Sequence, residues 1–200
     1  MPPRVPSLVL VTDRGGTAGR DLVAVVAAAL DAGLPAVQLR DKDLPGRPLL
    51  ALAERLREAT SRRGALLLVN DRIDVALAVG ADGVHLGGGS LPAEAARRLV
   101  GRAALIGVST HAPGEAPAGA DFAFFGPVYE TPSKGGAQGE ARLAEAVRAA
   151  ALPVLAIGGV TAARAPAVRA AGAAGAAVIR AILAAADPAA ATRDLLAALA

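Results

Sequence analysis

Eight short apolar runs punctuate the chain: LVLV (8–11), AVQL (36–39), LLLV (66–69), GVHL (83–86), LIGV (105–108), FAFF (122–125), VLAI (154–157) and AAVI (176–179). They are rich in Val, Leu, Ile and Phe and nearly unbroken rather than alternating, which predicts strands covered on both faces. Between them lie alanine- and leucine-rich segments whose apolar positions recur every three to four residues, such as RDLVAVVAAALDAG (20–33) and PLLALAERLREATSRRG (48–64). These predict helices. DAG before the second run, AVGADG before the fourth and RAAGAAG before the eighth put glycine where a helix would end. Eight buried strands alternating with helices predict an α/β fold with a parallel sheet: a (β/α)8 TIM barrel, a compact single domain over 1–200. Two hundred residues shared among eight units gives 25 apiece, so some helices must be only a turn or two, most obviously after the third and fifth strands. A doubly wound open sheet uses the same βα alphabet and stays open as an alternative.

Composition narrows the function classes. The hydrophobic fraction is 54% and the mean hydropathy +0.45, yet the longest apolar run, LVAVVAAAL (22–30), is far below the roughly 20 residues of a membrane span. The apolar part of the N-terminal MPPRVPSLVLVTDR is too short for a signal peptide, so a cytoplasmic location is expected. Lys plus Arg number 21 against 18 for Asp plus Glu; with a net charge of +3, 2% aromatics and no basic block, no nucleic-acid partner is expected. Without cysteine there is no disulfide, thiol nucleophile or thiolate metal site. No membrane partner is expected; a homo-oligomer is compatible with the sequence.

In a parallel barrel the C-terminal strand ends share one face, and the polar chemistry of this chain falls there. Those positions read TDR (12–14), RDK (40–42), NDR (70–72), GGGS (87–90), STH (109–111), GPVYETPSK (126–134), GGV (158–160) and RAI (180–182). Gly158 and Gly159 offer amides to an anion in the loop position where such barrels bind phosphate, or they simply let strand and helix pack. Arg40 and Lys42, joined by Lys134, would make a second anion site, with strand alternation turning Gln38, Arg40 and Lys42 to one side. The plainer reading of RDK is a solvated, self-paired charge cluster. Asp71 could hold Mg2+ or, with Asn70, cap the following helix, and the two roles are compatible. His85 and His111 are read as hydrogen-bonded structural residues rather than an acid or base.

Taken in order, LVTDR, VQLRDK, LVNDRIDVALAVGADGVHLG, IGVSTH, DFAFFGPVYETPSK and LAIGGV resemble the thiamine phosphate synthase and thiazole tautomerase family, enzymes of thiamine biosynthesis on a (β/α)8 barrel, over nearly the whole chain. The resemblance implies a transferase that joins hydroxymethylpyrimidine diphosphate to thiazole phosphate, giving thiamine phosphate and diphosphate, with Mg2+ as cofactor. Ionisation of the pyrimidine CH2–O bond would precede attack by the thiazole nitrogen. Such chemistry asks for cations around a departing diphosphate more than for a general base. At matching positions, Gln38, Arg40, Lys42, Asn70 and Lys134 would hold the pyrimidine diphosphate, with Ser109 near the reacting group. Asp71 would hold Mg2+. Thr131, Ser133 and the Gly158 and Gly159 amides would take the thiazole phosphate. Arg40, Lys42, Ser109 and Lys134 form the expected catalytic set.

One position departs from the family pattern: Ser90 stands where synthases carry a second acidic Mg2+ ligand, five residues after His85. The loop after Lys134 also looks shorter than in typical synthases. The loss favours the sister activity, metal-independent thiazole tautomerisation. Pro127, where the tautomerase has a histidine, favours the synthase, as do the retained Gln38, Asn70, Asp71, Ser109 and Lys134. A barrel that binds a thiamine precursor without turnover is the third reading.

Overall fold

A computed structural model describes residues 4–115, 117–131 and 136–200. The strands are β1 (Leu8–Val11), β2 (Ala36–Leu39), β3 (Leu66–Asn70), β4 (Gly83–Leu86), β5 (Leu105–Thr110), β6 (Phe122–Phe125), β7 (Val154–Ile157) and β8 (Gly175–Val178). Each runs parallel to its neighbour, and β8 pairs back onto β1 with Val9 opposite Ala177, so the sheet is a closed barrel in sequence order. Closure excludes the open doubly wound sheet.

The helices are α1 (Leu22–Asp31), α2 (Gly46–Ser61), α3 (Ile73–Ala78), α4 (Ala93–Val100), α5 (Gly139–Ala149), α6 (Ala165–Ala170), α7 (Arg180–Leu183) and α8 (Pro188–Leu199). Asp21 and Asp187 start α1 and α8 by accepting the amides of Ala24 and Ala190, each at 2.9 Å, which satisfies donors the first turn leaves over. As expected, the units after β3 and β5 are the shortest: α3 has six residues, and among the described residues no helix joins β5 to β6. None of the helices is long and apolar enough to cross a membrane.

Two apolar layers hold the barrel. Outside, helix side chains such as Val26, Leu56 and Leu143 pack on Leu10, Leu39, Leu67 and Phe125. Inside, Val9, Leu68, Leu105, Phe122, Phe124 and Leu155 fill the bore. Large and small residues complement one another there: a Cβ on Gly107 would lie 2.3 Å from Phe122 Cζ and 2.6 Å from His85 Nδ1, so only glycine leaves room for both rings.

The N-terminal strand ends are pinned by a repeated device. Asp82 accepts the Leu67 amide and pairs with Arg57 of α2, while Asp121 accepts the Ile106 amide and pairs with Arg97 of α4. In AVGADG before β4 the sequence reading marks only the helix-ending glycine; the aspartate beside it is a clamp between two strands and a helix.

Candidate active site

Two cavities open at the C-terminal strand ends. The first, about 300 Å3, is lined by the β7 loop (Gly158, Gly159, Val160), by Thr131 and Pro127 from the β6 loop, and by Ile179 and Arg180 after β8. The second, about 230 Å3, lies over β1 and β2 and is lined by Thr12, Arg14, Arg40, Asp41, Lys42 and Asp43. Asp13, just past β1, lines both, so the cavities are neighbours in one mouth.

In the first cavity Gly158 and Gly159 have φ of +98° and +65°, a left-handed backbone that favours glycine. A Cβ at 158 would come 2.6 Å from Pro127 Cβ, and one at 159 would come 2.8 Å from Tyr129 Cβ. The glycines therefore both pack the β7 loop on the β6 loop and expose backbone to the cavity; the two readings of GGV coincide. Arg164 steadies the loop: its Nη1 donates to Gly159 O at 2.8 Å while its guanidinium lies 4.6 Å from the Tyr129 ring centre. Tyr129 donates to Glu140, and burial followed by that carboxylate pushes its pKa up to about 12.

In the second cavity the expected alternation ends with the strand. Gln38 is buried inside the barrel, whereas Arg40 and Lys42, past the last β2 residue, line the cavity together with their odd-numbered neighbours. The chain turns here because Asp41 accepts the amides of Asp43 and Leu44. The self-paired reading of RDK does not hold either, since the partner of Asp41 is Arg14. Burial pushes the Asp41 carboxyl up, but the Arg14 guanidinium and the two amides outweigh it and hold it below the usual range. Arg14 thus pairs with Asp41, and among the described residues Arg40 and Lys42 form no ion pair where they line the cavity.

A polar chain runs across β2, β3 and β4. Gln38 Nε2 donates to Asn70 Oδ1 at 2.9 Å, and Asn70 Nδ2 donates to Asp71 Oδ2 at 2.7 Å. The other carboxylate oxygen, Oδ1, accepts from Ser90 Oγ and from the Gly87 amide. A carboxylate only accepts, so Asp71 fixes which end of Asn70 faces it. Asn70 in turn fixes Gln38. The chain therefore ends on Gln38 Oε1, an acceptor that is buried without a partner among the described residues. Asp71 itself sits at φ +58°, a conformation that aspartate tolerates better than most residues. The capping role expected for NDR is corrected: the residue before α3 is Arg72, no side chain caps the helix, and the Asp71 carboxylate is committed to Asn70, Gly87 and Ser90.

Ser109 on β5 lies at the mouth, half-buried, with its Oγ 3.0 Å from His85 Nε2. His111 Nδ1 meets Gly126 O at 2.7 Å. Both histidines are hydrogen-bonded, as the sequence reading expects, but it gives His85 no link to Ser109. Of the expected site residues, Arg40, Lys42, Asn70, Asp71, Ser109, Thr131, Gly158 and Gly159 stand at the strand ends of this one face, above Gln38. Ser133 and Lys134 lie outside the described residues. The sequence reading gives Asp13, Arg14 and Arg164 no role; Asp13 and Arg14 are marked only by their place after β1, and Arg164, just before α6, by nothing in the sequence.

The profile of the family described as thiamine monophosphate synthase matches residues 8–182. The chain belongs to the thiamine monophosphate synthase family. A thiamine-phosphate synthase of Roseiflexus castenholzii is 48% identical over 193 residues, covering 93% of this chain and 85% of its own length. One of Methanoculleus marisnigri is 46% identical, covering 94% and 92%. Among solved structures, a thiamine phosphate pyrophosphorylase of Pyrococcus furiosus superposes with a TM-score of 0.87 at 36% identity, covering 96% of this chain and 95% of that one. In this synthase-family barrel Ser90 is hydrogen-bonded to Asp71.

Proposed function

We propose that this barrel catalyses the synthase reaction of its family in the cytoplasm, joining hydroxymethylpyrimidine diphosphate to thiazole phosphate. The observation that carries the reading is the pair of cavities sharing Asp13: one is bordered by the cations Arg40 and Lys42, the other by the backbone of Gly158 and Gly159. Two phosphorylated molecules bound side by side need that arrangement, whereas a tautomerase needs one.

Arg40 and Lys42 bind the diphosphate and stabilise the negative charge that grows on it as the CH2–O bond breaks; Lys134 completes the set from the β6 loop. Gln38 Oε1 is the acceptor for the amino group of the pyrimidine, since its orientation is set by Asn70 and Asp71. The β7-loop amides and Thr131 hold the thiazole phosphate so that its ring nitrogen faces the carbon being released. No side chain has to remove a proton for the new C–N bond to form.

Mg2+ is tested by the donors present. Among the described residues no three acidic or histidine side chains gather, and the candidate position offers one carboxylate, Asp71, beside the Ser90 hydroxyl. That set fits a Mg2+ that arrives with the diphosphate, because this ion keeps waters and uses substrate phosphates as ligands. When bound, Mg2+ would neutralise charge on the leaving diphosphate. Asp71 would hold it, and Ser90 would orient Asp71.

Purified protein mixed with both substrates and Mg2+ should release diphosphate as thiamine phosphate forms. Lys134→Ala should lower that turnover by about 100-fold or more, the scale of losing one charge-stabilising group. Aromatisation of the thiazole carboxylate tautomer without any diphosphate release would replace this reading with the tautomerase.

A further inference from the structure

His85 is in an unusual position for an ionisable side chain. It sits on β4 inside the bore, 2% exposed, stacked on Phe124 with ring centres 4.2 Å apart, and 6.1 Å from Phe122. Its Nε2 meets Ser109 Oγ, but its Nδ1 has no partner among the described residues. The ring is walled by Phe122 and Phe124, an apolar setting that favours the uncharged imidazole. A neutral imidazole carries one proton, and the choice of nitrogen decides what Ser109 can do.

Nδ1 is crowded by Gly107 and Phe122: the point where a Gly107 Cβ would stand is 2.6 Å from Nδ1 and 2.3 Å from Phe122 Cζ. A buried N–H with no acceptor is rarer than an unfilled acceptor. The proton therefore belongs on Nε2, where Ser109 Oγ can accept it.

We propose that His85 is a positioning residue held as the Nε2–H tautomer, and that by donating to Ser109 Oγ it fixes Ser109 as a hydrogen-bond donor to the bound pyrimidine diphosphate. Ser109 has no other partner among the described residues and is half-buried at the mouth, so its O–H is directed to the ligand. The ligand atom it meets is an acceptor, a phosphate oxygen or a ring nitrogen. Ser109 acts neither as base nor as nucleophile. The part concerning turnover rests on the synthase reading; the tautomer does not.

Nitrogen-15 NMR of the full chain labelled at histidine tests the tautomer directly at neutral pH. The expected result is one protonated nitrogen, Nε2. A proton on Nδ1 overturns the proposal. In the turnover assay His85→Leu should lower kcat about tenfold with little change in KM, the scale of one lost hydrogen bond to a reacting-site group. His85→Gln, which returns an N–H near the Nε2 position, should recover most of that loss. Equal kcat for the two variants would overturn the donor role. If His85→Leu does not fold, or if the wild type releases no diphosphate, the NMR result on the wild type still decides the tautomer.

Discussion

Ser90→Asp tests how the mouth handles charge. Ser90 Oγ donates to Asp71 and accepts the Gly87 amide at 2.6 Å. The substitution removes the donation and sets a second carboxylate against the first. Two like charges roughly 4 Å apart repel by about 1 kcal/mol in a water-like medium and about 4 at an effective dielectric of 20. Asp71 is exposed, which places the cost near the lower end, about 1–2 kcal/mol, and the lost hydrogen bond adds about 1. For a 200-residue protein each kcal/mol moves Tm by about 2–4 °C, so the variant should melt about 4–12 °C below the wild type in EDTA. Added Mg2+ should reverse the deficit, since an ion at 100 times its Kd contributes about 2.7 kcal/mol. The wild type, with one carboxylate, should respond to Mg2+ only when inorganic diphosphate is also present. Thermal melts with EDTA, Mg2+, and Mg2+ plus diphosphate distinguish these cases. A variant that melts identically in EDTA and Mg2+, with the metal dependence of turnover unchanged, would refute the pairing of positions 71 and 90 as one divalent site.

Two further outcomes follow from the core and the β7 loop. Gly158→Ala forces a side chain onto a residue with φ +98° and 2.6 Å from Pro127 Cβ, so saturation with thiazole phosphate should require at least about tenfold more substrate; an unchanged KM in steady-state kinetics would remove the β7 backbone from that site. His85, buried, is pushed down to about 3 from an ordinary 6.5, so the unfolded chain binds a proton that the folded one refuses. Its contribution is fully present above pH 6.5 and lost as pH falls towards 3. Between pH 7 and 5 this amounts to about 2 kcal/mol, measurable by urea unfolding, and His85→Gln should abolish that slope.

The fold was legible because the strands are covered on both faces and therefore read as unbroken apolar runs. Five of the eight coincide with the observed strands, β8 is offset by one residue, and β3 and β5 run on by one and two residues, into Asn70 and Thr110. What the runs could not reveal was which aspartate pairs with which arginine. Arg14 and Asp41 are neighbours only because β1 and β2 lie side by side. Alternation failed at Arg40 and Lys42 because it describes a strand, and the strand had ended at Leu39. Helix-cap statistics misplaced Asp71 because they cannot see Ser90, which comes from the next βα unit. The link from His85 to Ser109 was hidden for a similar reason: it depends on Gly107 leaving space for a ring, and a glycine in a strand says only that something approaches.

The pairing of β1 with β8 has a consequence for how the molecule comes into being. Asp13 follows the first strand, Arg180 follows the last, and both border the same cavity. During synthesis the ribosome must therefore deliver nearly the whole barrel before that cavity has all its walls, and a nascent chain halted before residue 175 would lack the β8 side of it however well its earlier units had formed.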